Sequence, residues 1–121
     1  MAIFLNVSNH SSKQWGSRQR AEAEKYGKIV DFRFPSVPAD ASEKEVDRIA
    51  GRTFETICLY DCSAVMLQGE FTLTYRLVNL LKNVGIRVVA ACSERRAVEE
   101  VDENGNGIKY SQFTFVQFRE Y

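Results

Sequence analysis

Apolar residues fall into short runs that stop at polar clusters, and this alternation predicts the elements. Residues 3–7 (IFLNV) read as a central buried strand, followed at once by six polar residues, 8–13. Residues 17–26 (SRQRAEAEKY) are good helix formers, with Ser17 as the expected N-cap and Gly27 as the stop. Residues 29–34 (IVDFRF) are rich in β-branched and aromatic residues and read as a second strand, which Pro35 and Pro38 terminate. Ser42 opens the next helix with an S-x-x-E signature to Glu45, and Val46, Ile49, Ala50, Phe54 and Ile57 form its core-facing stripe. Its end falls near residues 59–62.

The rest of the chain is organised around residues 64–81 (AVMLQGEFTLTYRLVNLL). A strand at 64–67 stops at Gln68-Gly69-Glu70, and a helix over 72–83 follows, with Leu73, Tyr75, Val78, Leu80 and Leu81 as its apolar face and Gly85 after its end. Residues 86–92 (IRVVAAC) form another buried strand, which stops at a polar cluster, Ser93-Glu94-Arg95-Arg96. From there turns replace helices. Residues 97–101 and 108–119 are strands joined through Asn104-Gly105, a pair that favours positive φ and marks a hairpin. Apolar residues on both faces of the last strand predict that it is covered on each side for part of its length.

This order implies one α/β domain over 1–121: a Rossmann-like, mostly parallel sheet of order 2-1-3-4 flanked by helices, with a C-terminal antiparallel hairpin. Parallel strands with right-handed crossovers send every post-strand loop to one edge, so three polar clusters are expected there: 8–13, 68–72 and 93–96. Strands one and three are neighbours at the switch point, and their loops make two walls of one cleft.

Composition narrows the chemistry. With 121 residues, 45% of them hydrophobic, the chain supports one core. Sixteen basic residues balance sixteen acidic ones, which excludes a global positive field for long nucleic acid and leaves a small anion at a local site. Three cysteines without C-x-x-C spacing argue against a disulfide framework and for a reducing compartment. Cys58 and Cys62 lack further ligands, since His10 is the single histidine, so no metal is expected. No signal peptide and no membrane span is expected, and the protein reads as cytoplasmic.

In the cleft, Ser8, Asn9, Ser11, Ser12 and Lys13 are open between an anion site, which their hydroxyls, amide and ammonium suit, and a solvated loop that caps the next helix, and Trp15 is placed to pack, stack on a ligand or lie in an interface. The helix start at Thr72 offers unpaired N–H groups, and Arg95 and Arg96 add charge. Glu70 is open between a dipole partner, a general base and a ribose contact. Gly69 stands alone, without G-x-G-x-x-G or G-x-x-x-x-G-K-S, so no dinucleotide or Walker-type site is indicated.

Three segments, N-V-S-N-H-S-S, Q-G-E-F-T-L-T-Y-R-L-V-N and S-E-R-R-A-V-E-E-V with F-T-F-V-Q-F-R-E-Y, give the chain a resemblance to a known family. Together they resemble the small stand-alone CRISPR-associated ring nucleases of type III systems, which have a CARF-like (CRISPR-associated Rossmann fold) domain. The resemblance implies a homodimer that binds a cyclic oligoadenylate, cyclic tetra-adenylate foremost, and cuts it without metal or cofactor by 2′-hydroxyl attack, ending antiviral signalling. On this sequence it implies that Ser11 and Ser12 bind or orient the phosphate, His10 serves as acid or base, and Lys13 and Arg95 stabilise charge; His10 is equally readable as a loop histidine that fixes the backbone. Gln68, Glu70 and Thr72 line the ribose or base, with Ser8, Asn9, Trp15, Gly69, Ser93 and Arg96 completing the site. Two alternatives stand beside it: a sensor or sponge that binds without cutting, and an unrelated Rossmann-like domain.

Overall fold

The computed structural model describes residues 2–121. Five strands form one sheet of order β2-β1-β3-β4-β5: β1 (Ile3–Ser8), β2 (Lys28–Arg33), β3 (Cys62–Leu67), β4 (Val88–Val101) and β5 (Gly107–Glu120). The first four run parallel and β5 is antiparallel to β4. Three helices cover it: α1 (Ser17–Glu24), α2 (Glu43–Ile57) and α3 (Phe71–Asn83). This is the α/β architecture expected from the alternation of elements. No described helix is long and apolar enough to cross a membrane.

Alternation along β1 and β3 divides the core into two layers. Leu5, Val7, Val65 and Leu67 face α2 and α3, where they meet Val46, Ala50, Ile57, Leu73, Leu77 and Leu81. Phe4, Ala64, Met66 and Val89 face the other way, against Ala23 of α1, with Trp15, Tyr26 and Phe118 closing the edge.

Helix ends follow side-chain chemistry. Ser42 caps α2 by accepting the Glu45 N–H at 3.2 Å, as its S-x-x-E spacing predicts. Ser17 proves to be the first residue of α1, because Gly16 occupies the cap position. In α3 the buried stripe is Leu73, Leu77 and Leu81 at strict four-residue spacing. Tyr75, expected on that face, lies about 200° around the helix from Leu73 and is 69% exposed.

The C-terminal half departs most from expectation. Residues 93–96 are no loop at the sheet's edge: β4 runs unbroken from Val88 to Val101 and pairs with β5 throughout, with a register shift between Cys92 and Ser93. β3 pairs with β4 only at Val65–Val88 and Met66–Val89. Beyond that point β4 and β5 leave the sheet as a two-stranded arm on the order of 40 Å long, at about 3.4 Å per residue. A polar run continues as strand because β5 satisfies its backbone while its side chains stay in water. Gly105, at φ +81°, turns the tip. The cover expected on each side for part of β5 is present on one face at its base, where Phe115 and Phe118 pack together and Phe118 meets Phe4, whereas Val116 on the other face is 38% exposed and, along the arm, Phe113 is 69% exposed.

Leu77 is fully buried at the centre of the α2/α3 layer. Leu77→Ala should lower the free energy of unfolding by about 2–5 kcal/mol, measured by urea denaturation with an unchanged m-value.

Candidate functional site

The loops after β1 and β3 meet at the carboxyl edge, where a cleft of about 460 Å³ opens beside the switch point. Ser8, Asn9 and His10 line it from the first loop, and Gln68 and Gly69 from the third. Gln14, Trp15 and Gln19 form the wall toward α1, and Met66, Ala91 and Ser93 complete the lining. A second hollow of about 370 Å³ lies on the β2 side of the same loop, lined in part by His10, Ser11, Asp31 and Arg33. His10 borders both.

A polar network beneath the first loop sets its course. Asn6, 1% exposed, sits beside Asp31 in the β1–β2 register. Its Nδ2 donates to the His10 carbonyl at 2.8 Å and to Asp31 Oδ1 at 3.0 Å. Its Oδ1 accepts from the Ser8 hydroxyl at 2.7 Å, and the His10 N–H in turn donates to Ser8 Oγ at 3.3 Å. Asp31 also accepts from the Ser11 hydroxyl at 3.1 Å and from the Ser12 N–H at 3.1 Å. Burial pushes the Asp31 carboxyl up, but the hydrogen bonds from Asn6, Ser12 and Ser11 outweigh it and leave it below its ordinary value. Arg20 of α1 ties down the far side of the loop by donating to the Ser12 carbonyl at 2.7 Å.

Several groups expected to hold a ligand are already engaged in the fold. Ser11 is bound to Asp31 and accepts the Lys13 N–H, and Ser12 is buried with its backbone at both ends held. Lys13 lies in a single 3-10 turn, exposed and outside the cleft lining. The start of α3 is not open to an anion, because Glu70 caps it: its carboxylate accepts from the Leu73 N–H at 3.1 Å and from the N–H and hydroxyl of Thr72. The Thr72 hydroxyl bond, reinforced by those backbone bonds, holds the Glu70 carboxyl below its ordinary value. Gln68 extends the sheet, since its Oε1 accepts the Ala91 N–H at 2.9 Å and its Nε2 donates to the Ala91 carbonyl at 3.4 Å. Trp15 packs edge-on against Phe4, ring centroids 6.1 Å apart.

The arm carries Arg95 and Arg96 away from the loops. Arg95 donates to Ser111 Oγ across the hairpin, and Arg96 lies 3.6 Å from Glu94. Of the expected site residues, Ser8, Asn9, His10, Trp15, Gln68, Gly69 and Ser93 thus come together, while Ser11, Ser12, Lys13, Glu70, Thr72, Arg95 and Arg96 lie outside the cleft lining. The sequence reading does not single out Asn6 and Asp31, although each is a polar residue flanked on both sides by apolar ones in its strand. Gln14 and Gln19 carry no comparable signal. Among the described residues no three His, Cys, Asp or Glu side chains cluster as metal ligands. Burial, with the negative charge of Asp61, pushes the Cys62 thiol up to about 11, so it is protonated at neutral pH.

Two consequences are measurable. Because the folded Asp31 carboxyl titrates below the ordinary 3.8, its stabilisation is fully present above that value and is lost as pH falls through the lower folded value. Asp31→Asn should therefore lower the thermal midpoint at pH 7, and the gap to the unmodified protein should close as the pH drops below 3.8. A Cβ on Gly69 would lie 2.5 Å from the Phe34 ring, so Gly69→Ala should cost about 1–3 kcal/mol by overpacking, read by chemical denaturation.

Comparison with curated proteins and with solved structures gives no match. The family model described as "Uncharacterized protein MJ1673 family" matches residues 2–119, and with nearly its whole length covered the chain belongs to that family.

Proposed function

We propose that the protein is a metal-independent ring nuclease that binds a cyclic oligoadenylate at the β1/β3 cleft and opens it. The observation that carries this reading is the cleft itself: a volume suited to one nucleotide, at the switch point of a parallel sheet, bordered by the chain's single histidine and by neutral hydrogen-bonding side chains. The resemblance of the N-terminal, central and C-terminal segments supplies the ligand class.

In this reading His10 exchanges the proton of the reaction. The ribose 2′-oxygen forms a bond to the adjacent phosphorus as the bond from phosphorus to the 5′-oxygen breaks. The 2′-hydroxyl proton leaves to a base, and the 5′-oxygen gains one, so the products are a 2′,3′-cyclic phosphate and a free 5′-hydroxyl. In-line placement of the two oxygens supplies much of the acceleration, and an acid or base at the imidazole supplies about 100-fold or more. Asn6 and Ser8 act as positioning residues, because they hold the His10 backbone from below. A ring of several nucleotides is larger than one cleft, so two copies related by a two-fold axis would share it.

A second reading is sequestration without cutting. It is favoured by the lining of the cleft, where the described residues include Ser, Asn, Gln and His but no Lys or Arg to stabilise a phosphorane-like charge.

Incubation with cyclic tri-, tetra- and hexa-adenylate in EDTA, with products resolved by chromatography, tests both. Linear products ending in a 2′,3′-cyclic phosphate are expected, and His10→Ala should slow their appearance by about 100-fold or more without moving the thermal midpoint. Intact ligand bound with measurable affinity would leave sequestration, and neither binding nor cleavage would sink both readings.

A further inference from the structure

The arm presents an aromatic ring and a guanidinium on the side of the sheet where the cleft opens. Ser93 lines the cleft, and alternate residues of a strand share a face, so Arg95 follows Ser93 about 7 Å further out. Across the ladder Ser93 is paired with Phe115, and Arg95 with Phe113, and paired residues project to the same side. Phe115 packs on Phe118 at 4.9 Å, and Phe118 packs on Phe4 at 5.0 Å and on Trp15 at 6.4 Å. This face of the arm is therefore continuous with the aromatic layer that walls the cleft.

Phe113 is 69% exposed there. The Arg95 guanidinium is held beside it by two hydrogen bonds to Ser111 Oγ, from Nε at 3.0 Å and Nη2 at 2.9 Å. Among the described residues Arg95 forms no ion pair, whereas Arg87, Arg96 and Lys109 each meet a carboxylate. An anchored guanidinium without a counter-charge suits a phosphate, which it grips through paired N–H donors. An open aromatic face suits a nucleobase of any sequence. Among the described residues the cleft lining has neither a Lys nor an Arg, so the arm supplies the charge that the cleft lacks.

We infer that Arg95 and Phe113 form a second subsite, which takes the nucleotide next to the one held in the cleft: its base stacks on Phe113 and its phosphate pairs with Arg95. This rests on the reading of the cleft as a nucleotide site.

Calorimetric titration of the full chain with AMP, and with a 5′-phosphorylated di-adenylate carrying 2′-O-methyl riboses so that it cannot be cut, tests it. The unmodified protein should bind the dinucleotide about tenfold more tightly than AMP. Phe113→Ala and Arg95→Gln should each remove most of that gain and leave AMP affinity unchanged, while Phe113→Tyr retains it. Arg95→Gln should also make dinucleotide affinity less salt-dependent. Dinucleotide affinity equal in all forms would overturn the subsite and leave the cleft. A shift from dimer to monomer in the two variants by sedimentation would overturn it too, by assigning the face to contact between copies. Failure of the unmodified protein to bind AMP would overturn the reading of the cleft and the subsite with it.

Discussion

The first loop depends on one buried amide. Asn6 is nearly inaccessible to water, flanked in β1 by the buried apolar Leu5 and Val7, and a buried polar group left unpaired costs about 1–3 kcal/mol. Both of its donors and its acceptor are used, on His10, Asp31 and Ser8. Satisfying Asn6 therefore dictates where the backbone goes after β1. Asp31, the neighbour across the ladder, extends the same logic by collecting Ser11 and Ser12. The loop that borders the cleft is thus held from below by strand residues and from the side by Arg20. That arrangement makes the loop a preformed surface, and a ligand bound there would save the conformational entropy of ordering it.

The same accounting explains why so many apparently available groups are not. Glu70 neutralises the positive end of α3, so the helix dipole is spent within the fold. Gln68 replaces a missing ladder step between β3 and β4 with its side-chain amide. What the cleft retains is a neutral set of donors and acceptors around an imidazole. Formal charge lies further out on the arm, where a two-stranded ribbon leaves both faces in water. Isolated ribbons of this kind are marginally stable, and here the Phe115–Phe118–Phe4 contacts fasten its base to the core.

Hydrophobic periodicity determined the parallel α/β core and the meeting of the first and third loops, and the Asn104-Gly105 turn pair determined the hairpin tip, because strand alternation, four-residue stripes, turn chemistry and crossover handedness act over short stretches of chain. The carboxyl-edge placement of Ser8, Asn9, His10, Gln68 and Gly69 follows from that topology alone. Pairing between distant segments decided the rest. Nothing local distinguishes Ser93–Arg96 in a loop from the same residues in a strand, and only the β5 ladder makes them strand. Likewise only the β1–β2 register brings Asn6 to Asp31 and turns Ser11 and Ser12 from ligand groups into supports. Hydrogen-bond satisfaction is a property of the assembled fold, since each donor's partner lies across the sheet and not along the chain.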